Sequence, residues 1–457
     1  MTPQPGIDKS DPVVTFDMTK DGKGSADSSR RLRVTHFCQN DQIGGGPLAS
    51  YRLHRALLGQ GVDSRMLVMK THRDDPTVET MGHAGLGRII ETPARIVDRL
   101  PLRAYSRRTR DVIWSPGWFS MAGTLSCRAI DRADLLSLYW INGGFLSISA
   151  IGRLLRLGKP VVWRLSDLWP FTGGCHHAGG CRGYEHICGR CPQLGSRSEI
   201  DLATRLQQAK TRWPTERLVV VSPSRWLGNL AGNSAVFADC RIEQIATGID
   251  IETFTPRNRA DARRVLGLPP DRTLVLFGAN NGVRNPKKGF PLLIEALEQL
   301  SALGKADDVD LVVFGQKEQP LLPLALPIHM MGTIYSESTK ALLFSAADIF
   351  ATPSLEENLP NTVIEAMACG TPTVAFDVGG TNELIEHKSN GYLAKAGDSA
   401  DFCQGLAFLL KEPHDMMDVG ERARRFIVDN HNGRDAASRY LSLYTDLLND
   451  RTLDQAA

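Results

Sequence analysis

Long apolar runs are missing from this chain. Nowhere do about 18 apolar residues follow one another, so no membrane-spanning helix is expected. Net charge is nearly absent: 53 Lys and Arg stand against 51 Asp and Glu, a balance of +2. That removes the general electrostatic case for nucleic-acid binding, and the basic residues are not interleaved with aromatics. An apolar segment is lacking in residues 1–30, which are rich in Asp, Lys, Ser, Gly and Pro. They do not read as a secretory signal and are expected to be disordered. An even cysteine count is lacking too. There are nine, five of them scattered, which favours a reducing, cytoplasmic compartment over a disulfide framework.

What is present is a globular composition, 42% hydrophobic and 23% charged over 457 residues, long enough for two or three domains. Strand and helix patterns alternate along the chain. A strand at 32–37 leads into Asn40-Asp-Gln-Ile-Gly-Gly-Gly-Pro47, then a helix with Ala49, Leu53, Ala56 and Leu57 on one face, then a strand at 64–69. No Gly-Lys-Ser/Thr follows the glycines, so this is not a P-loop, and it is not G-x-G-x-x-G. Gly44, Gly45 and Gly46 either make a tight turn or let a diphosphate or acceptor approach the backbone. Further strands are expected at 134–140, 160–165, 218–221 and 244–246, with a helix at about 145–157. This rhythm predicts an α/β protein with parallel sheets.

The densest stretch is Ser354-Leu-Glu-Glu-Asn-Leu-Pro-Asn-Thr-Val-Ile-Glu-Ala-Met-Ala-Cys-Gly-Thr-Pro-Thr-Val-Ala-Phe376. A strand at 347–352 enters a polar turn. A helix starts near Pro360 and ends at Gly370, and a strand at 373–376 follows. Glu357 lies just before the helix and Glu365 about one turn inside it, so both can face a ligand at the helix N-terminus. Upstream, Arg284, Lys287 and Lys288 sit in a loop that leaves the end of a strand at 273–278, where open α/β sheets bind ligands. The bland alternative for each is a solvated loop or face.

Four cysteines, Cys175, Cys181, Cys188 and Cys191, cluster as C-x5-C-x6-C-x2-C in a Gly- and His-rich loop. A loop this long without apolar periodicity needs something to hold it. Four thiolates on one tetrahedral metal would do so; zinc is the default, and an iron–sulfur cluster would use the same ligands. His176, His177 and His186 are candidate substitutes. Four cysteines leave no open position, so such a metal would be structural. Between 88 and 110, Arg95, Arg99, Arg103 and Arg107 fall four apart beside Ile89, Ile96, Val97 and Leu100. If helical, this is either a solvated face or a surface for anionic lipid at the inner face of a membrane, with Pro101 breaking or kinking it.

The 354–376 run resembles the E-x7-E signature of retaining nucleotide-sugar glycosyltransferases of the GT-B fold, family 4-like. The resemblance implies two Rossmann-like domains facing across a cleft. It places Glu365 on the donor ribose and Glu357 on the donor sugar, with Asn358, Leu359, Pro360 and Asn361 meeting the diphosphate. Lys288-Gly289 matches the family's diphosphate-binding Lys, and Arg284 is the candidate for its Arg partner. Gly44, Gly45 and Gly46 match the Gly-Gly loop after the first strand. Trp169-Pro-Phe-Thr-Gly-Gly-Cys-His176 is similar to an exopolysaccharide and surface-polysaccharide branch. There a His precedes the Asp that matches Asp167, and an earlier strand ends His-Trp. This chain has Ser166 and Tyr139 at those places, while Asp167 and Trp169 are retained, and the resemblance makes Asp167 a substrate-binding candidate.

The implied domains are an N-terminal segment 1–30, an acceptor-side domain 31–255 with the Cys-rich loop 171–194, a donor-nucleotide domain 256–430, and a C-terminal helix within 431–457 that folds back on the first domain. The implied activity is sugar transfer with retention from a nucleoside-diphosphate donor to a carbohydrate acceptor, lipid-linked, in polysaccharide biosynthesis. No catalytic metal is expected. Two other readings stand beside it: a degenerate scaffold, suggested by the replaced histidines, and a nucleotide-sugar 2-epimerase, whose pattern lacks the E-x7-E run.

Overall fold

The computed structural model describes residues 31–81, 87–120, 128–278, 282–315, 326–410 and 413–450. Segment 1–30, the first part of the basic loop (279–281) and the side chains of Arg88 and Ile89 lie outside the described residues.

The first seven strands are β1 (Arg33–Asn40), β2 (Asp63–Lys70), β3 (Val78–Thr80), β4 (Leu135–Leu138), β5 (Val161–Arg164), β6 (Leu218–Ser222) and β7 (Arg241–Gln244). They form one parallel sheet in the order β3-β2-β1-β4-β5-β6-β7. Six more follow: β8 (Thr273–Gly278), β9 (Val309–Phe314), β10 (Ile328–Met330), β11 (Ile349–Thr352), β12 (Thr373–Phe376) and β13 (Gly391–Ala394). They form a second parallel sheet, ordered β10-β9-β8-β11-β12-β13. Central strands such as β5, β9 and β11 are buried at every position. Parallel sheets covered by helices on both faces require such unbroken apolar runs.

Each sheet reverses its strand order once, between β1 and β4 in the first and between β8 and β11 in the second. Beyond the carboxyl ends of strands at such a switch point the loops part and leave a crevice. The segments leaving β1, β8 and β11 are the glycine loop, the basic loop and the turn that carries Glu357. Topology therefore gathers them before any side-chain argument is made.

The chain crosses between domains twice, side by side. Ile249 pairs with Asn432, and a Cβ on Gly248 would lie 2.7 Å from Gly433. The closing helix Gly433–Asn449 buries Tyr440, Leu443, Tyr444 and Leu447. These side chains share a core with Val34, Leu53 and Leu57 of the first domain.

One expectation needs correction. The strand expected at 244–246 is β7, three residues earlier, because Thr247–Asp250 is spent on the crossover rather than on the sheet edge. Residues 88–110 are broken near Pro101, as the sequence implied. The helix Gly87–Asp98 stops, and Leu100–Ala104 is a separate 3-10 turn with Pro101 near its start. Pro101 has no N–H to continue the ladder. The Asp98 carbonyl instead accepts the Trp118 indole N–H at 2.8 Å. Arg95, Arg99, Arg103 and Arg107 are exposed, but they do not form one helical stripe.

Candidate functional site

The glycine loop works because of one backbone position. Gly44 has φ +102° and ψ 158°, a region essentially closed to side-chain-bearing residues. It caps the Gly45–Gly59 helix without a side-chain bond. A Cβ on Gly46 would lie 2.7 Å from Ser166 Oγ, so the loop is also pressed against the end of the first domain's own strand. Opposite stands the Asn361–Ala368 helix, whose N-cap, Pro360, likewise offers no capping side chain. The two helix starts meet: Asn361 Nδ2–H donates to the Gly45 carbonyl at 2.9 Å. Two uncapped N-termini converging on one place favour an anion there, through free N–H groups and aligned peptide dipoles.

The basic loop closes the same place from a third side. Gly289, at φ +64°, lets it pass the strand end so closely that a Cβ would lie 1.8 Å from the Pro353 carbonyl oxygen. Lys288 then pairs with Glu357. Burial would raise the Glu357 carboxyl, but the Lys288 ammonium and its hydrogen bond outweigh that and hold it below the ordinary carboxylate range. Lys287 pairs with Glu356 at 2.7 Å. Arg284 is exposed, on the turn before the 3-10 segment Pro286–Lys288. Asn358 spans the domain gap: its amide donates to the Ser166 carbonyl at 3.3 Å and accepts from Ser224 Oγ at 2.8 Å. Leu359 is half-buried and Pro360 buried; Pro360 contributes no N–H.

Glu365 is fully buried, and its Oε1 accepts from Arg52 of the first domain at 2.6 Å. Arg52 also pairs with Glu337 at 2.7 Å and packs over the Phe254 ring. Glu365 Oε2 is buried with no hydrogen-bond partner. The carboxylate expected on the donor ribose is therefore half engaged, because a first-domain guanidinium reaches across the cleft. Arg52 escaped sequence reading: it sits among apolar positions of an ordinary amphipathic helix. A second missed tie is Glu383, whose carboxylate accepts the Arg225 and Trp226 backbone N–H groups at 2.8 and 2.9 Å. A cavity of about 770 Å³ adjoins this seam and has Arg52, Arg164, Arg434 and Tyr440 in its walls. Neither Glu357 nor Lys288 lines it, so the motif residues and that cavity are neighbours rather than one site.

Asp167 is turned inward. Its Oδ2 takes His176 Nδ1 at 2.6 Å and the Trp140 indole at 2.9 Å, and its Oδ1 takes the Trp169 N–H at 3.0 Å. A carboxylate can only accept, so His176 Nδ1 carries a proton, and its Nε2 lies at hydrogen-bond distance, 2.8 Å, from Ser115 Oγ. Burial would raise the Asp167 carboxyl, but His176 beside it holds it lower. Tyr139 is buried, its hydroxyl 2.8 Å from His36 Nδ1, so this departure from the family pattern falls in the core. Ser166 lies on the domain seam.

The four clustered cysteines line one cavity of about 30 Å³. Burial pushes the Cys175 thiol up to about 12 and the Cys188 thiol up to about 11. Beside them Lys210 is buried, bonded to the Trp169 and Thr172 carbonyls and lying over the Trp169 ring. Among the described residues, no three His, Cys, Asp or Glu side chains stand in metal-holding geometry.

Solved structures settle the architecture. The chain superposes on sucrose-phosphate synthase from Thermosynechococcus elongatus with a TM-score of 0.62, at 18% identity, over 91% of this chain and 99% of that one. It superposes on Anabaena HepE, solved with UDP and glucose, with a TM-score of 0.57, at 16% identity, over 91% of this chain and 100% of that one. The fold is GT-B. Within it, residues 272–412 match the family described as "Glycosyl transferases group 1". That span covers the GT-B half with β8 to β13. By sequence the chain is 32% identical over 312 residues to D-inositol 3-phosphate glycosyltransferase 2 of Catenulispora acidiphila, covering 64% of this chain and 65% of the relative. It is 30% identical to the D-inositol 3-phosphate glycosyltransferase of Pseudarthrobacter chlorophenolicus, covering 46% and 52%. The chain thus spans from about half to just under two thirds of the length of these relatives.

Proposed function

We propose that this protein transfers a sugar, with retention of configuration, from a nucleoside-diphosphate donor to a carbohydrate acceptor. The acceptor is lipid-linked, and the setting is polysaccharide biosynthesis. The observation that carries the reading is the meeting of two uncapped helix N-termini beside the Lys288–Glu357 pair and the half-satisfied Glu365 carboxylate. The two sequence relatives named above are glycosyltransferases by name, and HepE was solved with UDP and glucose.

In this reading the Lys288–Glu357 pair holds the place of the donor. When the donor enters, Lys288 turns to the diphosphate and Glu357 accepts from a sugar hydroxyl. Negative charge grows on the leaving diphosphate as the anomeric bond breaks. The N–H groups at Asn361 are fixed in advance to meet it, and Lys288 and Arg284 turn to join them. Ribose hydroxyls donate to Glu365, first at its unpartnered Oε2. Incubating the purified protein with UDP-, GDP- and ADP-sugars and an extract of lipid-linked oligosaccharides tests this. Release of one nucleoside diphosphate that depends on the acceptor, with the donor anomer kept in the product, is expected. Release of free epimerised nucleotide sugar would make the protein an epimerase instead.

Two accompanying proposals concern the first domain. The four cysteines hold a structural zinc, with the buried Lys210 ammonium balancing a tetrathiolate of net negative charge. The donor chemistry fits; the thiols have to converge from their present positions to close on the ion. Metal content below a few tenths of an equivalent after mild purification would remove this proposal. Exposed Arg95, Arg99, Arg103 and Arg107, with Ile96 and Leu100, contact anionic lipid peripherally. Among the described residues no helix is long and apolar enough to cross a membrane. Co-sedimentation with phosphatidylserine vesicles that vanishes at high salt is the expected result.

A further inference from the structure

The family pattern puts an imidazole immediately before the Asp that corresponds to Asp167, and this chain has Ser166 there. A different histidine reaches the donor side. His176 and His177 are consecutive but face opposite ways. His176 is locked into the core by Asp167 and Ser115. His177 points across the domain seam. Its Nδ1 lies 3.7 Å from Glu356 Oε1, too far for a hydrogen bond, and is buried with no hydrogen-bond partner. Its backbone is held on both sides. The His177 carbonyl accepts from Gln193 Nε2 at 2.6 Å, and two residues on, the Gly179 N–H donates to Glu356 Oε1 at 3.2 Å. The Cys-rich loop is thereby docked on the donor domain at the residue next to Glu357.

A buried ring nitrogen with no hydrogen bond costs free energy in the empty protein, and something bound at the seam would relieve that cost. The neighbouring groups say what that something is. Lys287 already engages Glu356, and Lys288 engages Glu357. The phosphate-favouring helix N-termini lie at Gly45 and Asn361, so the partner for His177 is a hydroxyl rather than a phosphate oxygen. We propose that His177 contacts the transferred sugar, its ring nitrogen hydrogen-bonding a donor-sugar hydroxyl beside Glu357, in place of the imidazole missing at Ser166. This rests on the donor-site reading above.

The test uses full-length wild type, His177→Ala and His177→Gln in calorimetry. The probes are UDP, GDP and ADP, then the glucose, galactose and N-acetylglucosamine conjugates of whichever nucleotide binds. Nucleoside diphosphate affinity should stay within about two-fold in both variants. The best conjugate should weaken about ten- to a hundred-fold in His177→Ala and less in His177→Gln, which can still make one hydrogen bond. Equal weakening for nucleotide and conjugate would assign His177 a merely structural role. No weakening of the conjugate, or no gain from any sugar in wild type, would also overturn the proposal while leaving the nucleotide site intact. If wild type binds none of the three nucleotides, the donor reading itself fails, and this inference fails with it.

Discussion

The two walls of the cleft are built in different ways. The second-domain wall, the donor side in the proposed function, comes from the loop–helix starts after the neighbouring strands β8 and β11, and nearly all its chemistry falls within residues 284–289 and 354–365. The first-domain wall, the acceptor side in the proposed function, is assembled from scattered pieces: Gly44–Gly46 and Arg52 from one helix and its start, Trp140 and Ser166 from two strand ends, and His177 from the cysteine loop. One wall is a short sequence word; the other exists only after folding. A reader of sequence sees the first and must be told the second.

The comparison breaks most severely at the tie between the walls. Arg52→Met strands two carboxylates and should cost roughly 3–5 kcal/mol of domain docking, the usual penalty for uncoupling a buried ion pair. Small-angle scattering should show a larger radius of gyration without ligand, and denaturation should separate into two steps. A single unchanged transition would mean that the walls dock without Arg52.

Next comes the donor wall alone. Lys288→Ala should lower turnover by about 10²–10³, the range for losing a charge-stabilising donor, and should lower the melting temperature by less than the first-domain variant below, because Glu357 loses its ion-pair partner. On the acceptor wall the balance should invert. Asp167→Ala leaves His176, Trp140 and Trp169 donors without an acceptor. It should cost roughly 3 kcal/mol of first-domain stability, read by denaturation of the full chain. If it abolished turnover while leaving stability untouched, Asp167 would belong to the cleft after all.

The first domain also carries a pH dependence. Burial lowers the His54 imidazole to about 4, and burial with His54 nearby depresses His36 as well. Between pH 6.5 and 4 the unfolded chain binds protons that the folded chain refuses, so stability falls as pH drops through that window. For His54 alone the loss from pH 7 to 5 is about 2 kcal/mol. The Glu357 carboxyl, held low in the folded state, contributes stability that disappears only at more acid pH, below the ordinary Glu range. First-domain weakening should therefore begin before the donor wall loosens, as seen by chemical denaturation at stepped pH.

The alternating strand–helix pattern made the fold legible, because buried parallel strands must be apolar throughout. The donor wall was legible because its spacing is local: Pro360 starts the helix and Glu365 follows within two turns. Arg52 was not, since nothing local distinguishes a surface Arg from one that crosses a cleft. Asp167 was visible as a residue but not in its orientation, which depends on His176 nine positions later folding back onto it. The arginine series at 95–107 does not share one helix, because Pro101 ends the ladder, a break that was legible in the sequence.

The most direct test of the central claim is calorimetric binding of UDP, GDP and ADP, without added metal, to wild type and Glu365→Ala. The account predicts micromolar binding of one nucleotide, weakened by roughly 1–3 kcal/mol when the ribose loses its acceptor. Unchanged affinity in the variant would move the ribose elsewhere. Absence of binding by all three would contradict the donor site and leave a GT-B scaffold without a ligand.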